Sequence, residues 1–324
     1  MKISVPVLFR KVIFSGVILY SVLFVLSCNS NKEGKNTGLF QKLSSKRTNI
    51  TFENTLTESD TFNYFLYPYI YMGGGVSVGD FNNDGLTDIY LTGNMVPDRM
   101  YLNRGNFTFE DVTGISNTGG GNRWKLGSTI CDINNDGLPD IYVCVSGLSP
   151  DRENLLFVNQ GANKDGIPVF TEEAKKYGIN DPGMSTQSTF FDYDNDGDLD
   201  LYVANYPITA FKATPYVYKQ MMRNVKWIES GHLYRNNGDG TFTDVTKESG
   251  LLSYGLTLSA TVSDFNQDGF KDYTFLTILH APITFILTTA TEHFLTKPDR
   301  FSDKLHFMAW VPMLQIIITM DCLI

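Results

Sequence analysis

The sequence predicts an all-β fold, a β-propeller of four-stranded blades. Two observations carry that expectation: an Asp-rich nonapeptide recurs four times, and each copy sits between short runs of β-forming residues. The copies are Asp80-Phe-Asn82-Asn-Asp84-Gly85-Leu86-Thr-Asp88, Asp132-Ile-Asn134-Asn-Asp136-Gly137-Leu138-Pro-Asp140, Asp192-Tyr-Asp194-Asn-Asp196-Gly197-Asp198-Leu-Asp200 and Asp264-Phe-Asn266-Gln-Asp268-Gly269-Phe270-Lys-Asp272. Self-similarity on this scale signals a repeat architecture. Each copy follows a strand of small residues such as Val76-Ser-Val-Gly79 and runs into one such as Ile89-Tyr-Leu91, so the loop joins adjacent antiparallel strands.

A further strand pair follows in each of the first three units. The pairs are Met100 to Asn103 with Phe107 to Phe109, Leu155 to Val158 with Val169-Phe170, and Leu233 to Asn236 with Thr241 to Thr243. Turn residues separate their members, most plainly in Asn236-Asn-Gly238-Asp-Gly240. Units of about 50 to 70 residues with four strands each have the size of propeller blades.

The nonapeptide spacing suits a hard cation. Side chains at positions 1, 3 and 5 point inward, Gly at position 6 permits a sharp turn, position 7 offers its carbonyl and Asp at position 9 closes the shell. The candidate ligands are Asp80, Asn82, Asp84, Leu86 and Asp88; Asp132, Asn134, Asp136, Leu138 and Asp140; Asp192, Asp194, Asp196, Asp198 and Asp200; and Asp264, Asn266, Asp268, Phe270 and Asp272. An all-oxygen set without His or Cys selects Ca2+ over transition metals. The third copy, with Asp at all five of its odd positions, is expected to bind most tightly.

Composition agrees. The chain is 42% hydrophobic, enough for a buried core, which excludes a disordered protein. The first 27 residues carry Lys2, Arg10 and Lys11 and no acidic residue, so their removal takes the formal charge from -9 to -12. An acidic balance of that size argues against nucleic acid as a partner and fits a demand for counter-ions.

The N-terminus reads as an export signal over residues 1–27: a basic region, the apolar run Val12 to Leu26, and Ser27 before Cys28. A small residue followed by Cys resembles the bacterial lipobox. That resemblance implies a lipid anchor on Cys28, with residues 28–38 as a polar tether and residence in the bacterial cell envelope, on the outer membrane, facing the periplasm or the outside. Cys131 and Cys144 flank the second loop slightly out of register, which favours two buried free thiols over a disulfide.

At the four loops the sequence is similar to the FG-GAP or VCBS repeat family, over Phe40 to Asp272. That resemblance implies an integrin-α-like seven-bladed propeller with calcium between the first two strands of each blade. Tyr71-Met-Gly-Gly-Gly75-Val-Ser-Val-Gly-Asp80 and Asn236-Asn-Gly-Asp-Gly-Thr-Phe242 resemble, more narrowly, bacterial lipoproteins of the cartilage-acidic-protein type, which usually end in an ASPIC/UnbV module. No such module is visible, so the sequence reads as a truncated member.

After Asp272 the character changes, with no glycine in residues 273–324. Pairing the third base of each codon with the first two of the next, Asp272 to Leu279 permits LYVSNDF and Leu287 to Phe294 permits NNGDGTF. Met308 to Ile324 permits GMGSDAADYNNDGLPD, in which the three glycines and the leucine that follows the third are forced by the code. These are strings of the same repeat, including a fifth loop. The expectation is a single-base deletion near codon 272 and an out-of-frame tail over 273–324, which leaves the fourth blade without its outer strands. The rival is a genuine segment with Phe307 to Ile318 as an apolar element.

Function reads first as binding or adhesion toward a glycan or a protein. The loops joining second to third strands emerge opposite the calcium loops. The longest, Asn205 to His232, carries Tyr206, Phe211, Tyr216, Tyr218 and Trp227 among basic residues, a set suited to sugars or anionic groups. A helical insertion that packs those rings on the blade is the alternative. No catalytic residue is expected: His232 reads as a structural histidine, and Ser-His-Asp, Cys-His and zinc spacings are absent. A polysaccharide-processing enzyme and a non-functional gene product remain the alternatives.

Overall fold

The computed structural model describes residues 40–207, 214–264, 271–278, 284–288 and 294–296. The export segment, the tether and Cys28 lie outside them, as do Phe211, Asn266, Asp268 and Phe270. The chain divides into two units, Met1–Ser44 and Ser45–Ile324, and every sheet lies in the second. No helix among the described residues is long and apolar enough to cross a membrane.

Four antiparallel sheets of four strands follow one another, each meandering from its first strand to its fourth. The first contains β1 (Val76–Gly79), β2 (Asp88–Leu91), β3 (Arg99–Asn103) and β4 (Phe109–Asp111). The second contains β5 (Trp124–Cys131), β6 (Asp140–Ser146), β7 (Leu155–Ala162) and β8 (Pro168–Glu172), and the third β9 (Ser185–Phe191), β10 (Asp200–Asn205), β11 (His232–Asn236) and β12 (Phe242–Asp244). The fourth contains β13 (Leu256–Ser263), β14 (Asp272–Ile278), β15 (Thr284–Thr288) and β16 (Phe294–Thr296). This is the blade series of an incomplete β-propeller.

Registers repeat with the sequence. The residue before each loop's first Asp pairs with the loop's last: Gly79 with Asp88, Cys131 with Asp140, Phe191 with Asp200 and Ser263 with Asp272. Alternation then sends side chains to opposite faces of each blade. Ile141, Val143 and Val145 of β6 join Phe81, Tyr90, Met100 and Leu102 of the first blade in one core. Tyr142 and Cys144, on the opposite face of β6, join Leu201, Val203 and Tyr234 of the third. Both faces of the second blade are thus buried, and stability resides in the contacts between blades, as in other repeat arrays.

The inner strands approach closely. A Cβ on Gly75 would lie 2.6 Å from the Leu126 carbonyl oxygen, and one on Gly127 2.6 Å from that of Thr186. The Thr129 hydroxyl donates to the Ser188 carbonyl at 2.9 Å, and the Ser77 and Ser128 hydroxyls meet at 2.7 Å.

Two expectations need correction. Strand β4 begins at Phe109 rather than Phe107, because Asn106 and Phe107 take left-handed φ of 52° and 58° and belong to the turn. The fourth sheet also has its outer strands, since Thr284-Phe-Ile-Leu-Thr and Phe294-Leu-Thr are rich in β-branched and aromatic residues and extend the ladder that β13 begins. Cys131 and Cys144 are buried free thiols, as their offset in register predicts.

Candidate metal centre

Three of the four loops lie wholly among the described residues, and they share one construction. Both oxygens of the first Asp accept backbone N–H groups from positions 5 and 6. Asp80 accepts from Asp84 at 3.0 Å and Gly85 at 2.8 Å, Asp132 from Asp136 and Gly137 at the same two distances, and Asp192 from Asp196 and Gly197 at 3.1 Å each. The Asp at position 5 then accepts from position 7, at 2.9 Å from Leu86, 2.8 Å from Leu138 and 2.9 Å from Asp198.

The chain can turn this tightly because two residues per loop are left-handed. Gly85, Gly137 and Gly197 have φ of 84°, 83° and 96°; Asn83, Asn135 and Asn195, at position 4, have φ of 57°, 56° and 62°. Asn tolerates that conformation better than any other residue with a side chain except its close relative Asp. The position-4 Asn was not singled out from the sequence, although its recurrence in three copies signalled it.

The last Asp of each loop is fully buried and bound from two sides. Asp88 accepts from Phe81 N–H at 3.0 Å and Asn103 N–H at 2.8 Å; Asp140 from Ile133 at 2.9 Å and Asn159 at 2.7 Å; Asp200 from Tyr193 at 2.9 Å and Asn236 at 2.8 Å. Each therefore ties its loop to the third strand. Burial pushes the Asp88 and Asp140 carboxyls up to about 6 and Asp200 up to about 7, against the pull of those N–H donors and with help from neighbouring loop carboxylates. One hydrogen bond per oxygen leaves lone pairs for a cation.

The strand-end asparagines form a second ring of support that sequence reasoning missed. Asn103 and Asn236 end their third strands and Asn159 stands where the register of β7 shifts, and their side-chain amides bond the carbonyls of Thr87, Pro139 and Leu199 at 2.9, 3.2 and 3.2 Å. Asn159 also bonds the Phe81 carbonyl of the preceding blade at 2.9 Å, so one loop braces the next.

These oxygens fit a hard cation. In the third loop, carboxylate oxygens of Asp192, Asp194 and Asp200 all lie within 4.8 Å of one another. At that separation each ionised pair repels by roughly 3.5 kcal/mol at an effective dielectric near 20. In the first loop the Asn82 amide nitrogen bonds Asp84 at 3.0 Å and the Gly166 carbonyl at 2.9 Å, while its buried Oδ1 has no hydrogen-bond partner. A buried acceptor facing a carboxylate loop is what a divalent ion would satisfy. Asp196 and Asp198 stand outside the third loop's close trio, Asp196 being engaged with the Asp198 N–H. Of the fourth loop, Asp264, Lys271 and the backbone of Asp272 are described, while Asn266, Asp268 and Phe270 lie outside the described residues.

The expected ligand loop divides. Tyr206 is buried, bonded through its hydroxyl to Tyr67 and to Ser146 at 3.0 Å and packed on Tyr69 with centroids 3.9 Å apart, so it is a core ring rather than a ligand ring. Its partner Tyr67 lies 139 residues earlier, a contact no local pattern reveals. Pro215–Arg223 is helical, with Tyr216 exposed. The Tyr218 backbone lies in that helix; its side chain is outside the described set. Trp227 is 40% exposed, stacks on His232 at 3.9 Å and donates its indole N–H to Asp244.

His232 is fully buried, with Nδ1 2.5 Å from Asp181 and Nε2 2.8 Å from the Trp227 carbonyl. Both ring nitrogens face acceptors, as an imidazolium requires. Burial alone would lower its pKa, but the Asp181 carboxylate, the Trp227 carbonyl and Asp244 together raise it. Such a histidine is a structural one.

The FG-GAP-like repeat model matches residues 80–143, 132–203 and 227–274, the first two spans opening on a nonapeptide loop and the third running from the outer strands of the third blade through the fourth loop. The chain is 26% identical over 204 residues to cartilage acidic protein 1 of Homo sapiens and 25% identical over 201 residues to that of Mus musculus. In both cases 62% of this chain and 28% of the relative are covered, so the chain spans under a third of the length of those proteins. With the repeat model covering more than half of the sequence and the blades and loops recurring in step with it, the chain belongs to the FG-GAP-like repeat family.

Proposed function

We propose that the chain is a calcium-loaded binding propeller held at a bacterial envelope, with a glycan or an envelope or extracellular protein as its partner. The observation that carries the reading is the convergence of Asp192, Asp194 and Asp200 within one repeated loop architecture. The two further described loops repeat its framework with Asn82 and Asn134 in place of Asp194. Ca2+ held there by Asp80, Asn82, Asp84 and Asp88, by Asp132, Asn134, Asp136 and Asp140, and by the third loop's carboxylates would supply charge neutralisation and rigidity. The Leu86, Leu138 and Asp198 carbonyls would complete the shells.

A rigid blade array then presents the connection between β10 and β11. Tyr216 is 70% exposed on its helix and Trp227 is half-exposed beside it in sequence, giving amphipathic rings that suit a sugar face. Acylated Cys28 would anchor the protein through the tether 28–38, and an acidic chain suits no nucleic acid.

Two tests follow. On a glycan array in 1 mM Ca2+, a Tyr216→Ala variant is expected to lose at least about tenfold in signal while melting within 1 °C of the parent, because one exposed aromatic contact is worth about 1–2 kcal/mol. An unchanged array pattern would remove the helix from the binding surface. In bacteria fed an alkynyl fatty acid, label is expected on the parent and absent from Cys28→Ala; equal labelling would exclude the anchor.

A further inference from the structure

We infer that the buried pair Asp181 and His232 positions Trp227 as a preformed stacking platform for the C–H face of a sugar ring, and that the platform is held only while His232 carries both ring protons. The inference rests on the reading of the β10–β11 connection as the ligand surface. It adds two positioning residues and a control by pH.

Trp227 is fixed at three points. Its indole lies on the His232 imidazole, with the planes 11° apart and the centroids separated by 3.9 Å. The indole N–H is donated to Asp244 of β12. The Trp227 carbonyl accepts from His232 Nε2 at 2.8 Å and from the Ser230 N–H at 3.0 Å. The imidazole covers one face of the indole, yet 40% of the residue stays exposed. A ring held in this way has little freedom left to lose when a ligand stacks on it, which is what preorganisation contributes to affinity.

His232 is held in turn from within the blade. Its Nδ1 meets Asp181 Oδ2 at 2.5 Å, and the Tyr234 hydroxyl donates to the same oxygen at 2.9 Å. The Gly183 N–H reaches Oδ1 at 2.7 Å, and the Asn205 amide reaches the two oxygens at 3.2 and 3.3 Å. Asp181, Asn205, His232 and Tyr234 are all buried, so the carboxylate cannot swing away to water. The chain of contacts thus runs from donors on β10 and β11 through Asp181 and His232 to the exposed indole.

Loss of one proton breaks this chain at a defined atom. Nδ1 faces a carboxylate and Nε2 a neutral carbonyl, so the proton leaves Nε2 as pH rises. The Nε2 lone pair then faces the Trp227 carbonyl oxygen, two acceptors with no proton between them, and the cation beneath the indole is gone. Trp227 opens the 3-10 turn Trp227–Glu229, so turning its carbonyl away moves the Cα that carries the indole. Burial lowers the His232 pKa, but Asp181, the Trp227 carbonyl and Asp244 outweigh it and raise the value above the ordinary 6.5 or so. The other titratable groups nearby do not change charge in that range. Burial keeps the Cys144 thiol and the Tyr142, Tyr202 and Tyr234 hydroxyls protonated, and on the solvent side Lys226 pairs with Glu229 at 3.6 Å.

Two readouts on the full chain in calcium-containing buffer test the inference. An imidazolium in ring contact quenches indole emission, so the parent's tryptophan fluorescence is expected to brighten in a single one-proton step above about pH 6.5. His232→Gln and Trp227→Phe are expected to show no step; one caused by the loop carboxylates would persist in both. On the glycan array the parent's signal is expected to fall about fivefold between about pH 6.5 and pH 8.5, the worth of one ring–cation contact. The His232→Gln signal is expected to be low and level across the same range. A parent without the fluorescence step, or a step that survives in His232→Gln, would overturn the coupling whatever the array shows. Array signal that Tyr216→Ala abolishes but that neither pH nor Trp227→Ala alters would overturn the platform and leave the surface reading standing. A fluorescence step with no glycan bound at any pH would remove the surface reading and the inference with it.

Discussion

Chelating calcium is expected to lower the melting temperature of the folded chain by roughly 8–16 °C for each strongly held ion. An ion present at a thousand times its dissociation constant stabilises the state that binds it by about 4 kcal/mol, and a unit of this size shifts by about 2–4 °C per kcal/mol. The third loop dominates the effect, because Asp192, Asp194 and Asp200 crowd three carboxylates within 4.8 Å. Without a cation that repulsion is relieved by protonating buried Asp200 or by opening the loop. The framework predicts where the opening starts: Asp200 holds Tyr193 N–H and Asn236 N–H together, so the tie between the loop and β11 loosens first. Differential scanning with 1 mM Ca2+ against excess EGTA measures the shift, and a change under 2 °C would mean that the loops are held by their own hydrogen bonds.

The second large effect is expected at Asp181, which belongs to none of the loops. Its carboxylate accepts from His232, from the Tyr234 hydroxyl at 2.9 Å, from Asn205 at 3.2 Å and from the Gly183 N–H at 2.7 Å, all buried. Asp181→Ala leaves a cationic ring and several donors unpartnered inside the blade contact, which costs about 3–5 kcal/mol. A fall of about 10 °C is expected in calcium, with ion stoichiometry unchanged; a fall below 3 °C would show that the cluster relaxes or hydrates freely.

The pair also has a pH signature. His232 has a folded pKa above its unfolded value near 6.5. The native state therefore holds the proton more tightly, and the contribution is complete below about pH 6.5 and is lost as pH rises through the folded value. Asp181, Asp244 and Tyr234 are the titratable groups that face or neighbour the ring, and the first two favour its charge. Between pH 6.5 and 8.5 the parent should lose stability relative to His232→Gln, and parallel curves would contradict the charged state.

Much of this was legible in the sequence, for local reasons. Asp and Asn at the odd positions of the nonapeptide and Gly at position 6 fixed the loops, and alternating β-formers fixed the strands, because both depend on nearest neighbours. Tertiary features were not legible. Tyr206 looked like a surface ring until Tyr67 and Ser146 met its hydroxyl. Lys125 and Asp98 carry charges that suggest a surface, yet they pair at 3.3 Å with both side chains fully buried. Asn103 and Asn236 were read only as strand ends and Asn159 was not singled out, yet all three act as braces. The strands after Asp272 were unexpected because the motif had ended, while β propensity and the edge of β13 had not.

The direct measurement is the number of calcium ions held per chain, by equilibrium dialysis of the chelated and refilled protein, parent against Asp192→Ala and Asp194→Ala. At least three ions are expected on the parent, and one fewer on each variant with the remaining affinities unchanged. Saturation below one ion per chain, or a stoichiometry that the third-loop substitutions do not alter, would contradict the assignment of these loops as calcium sites.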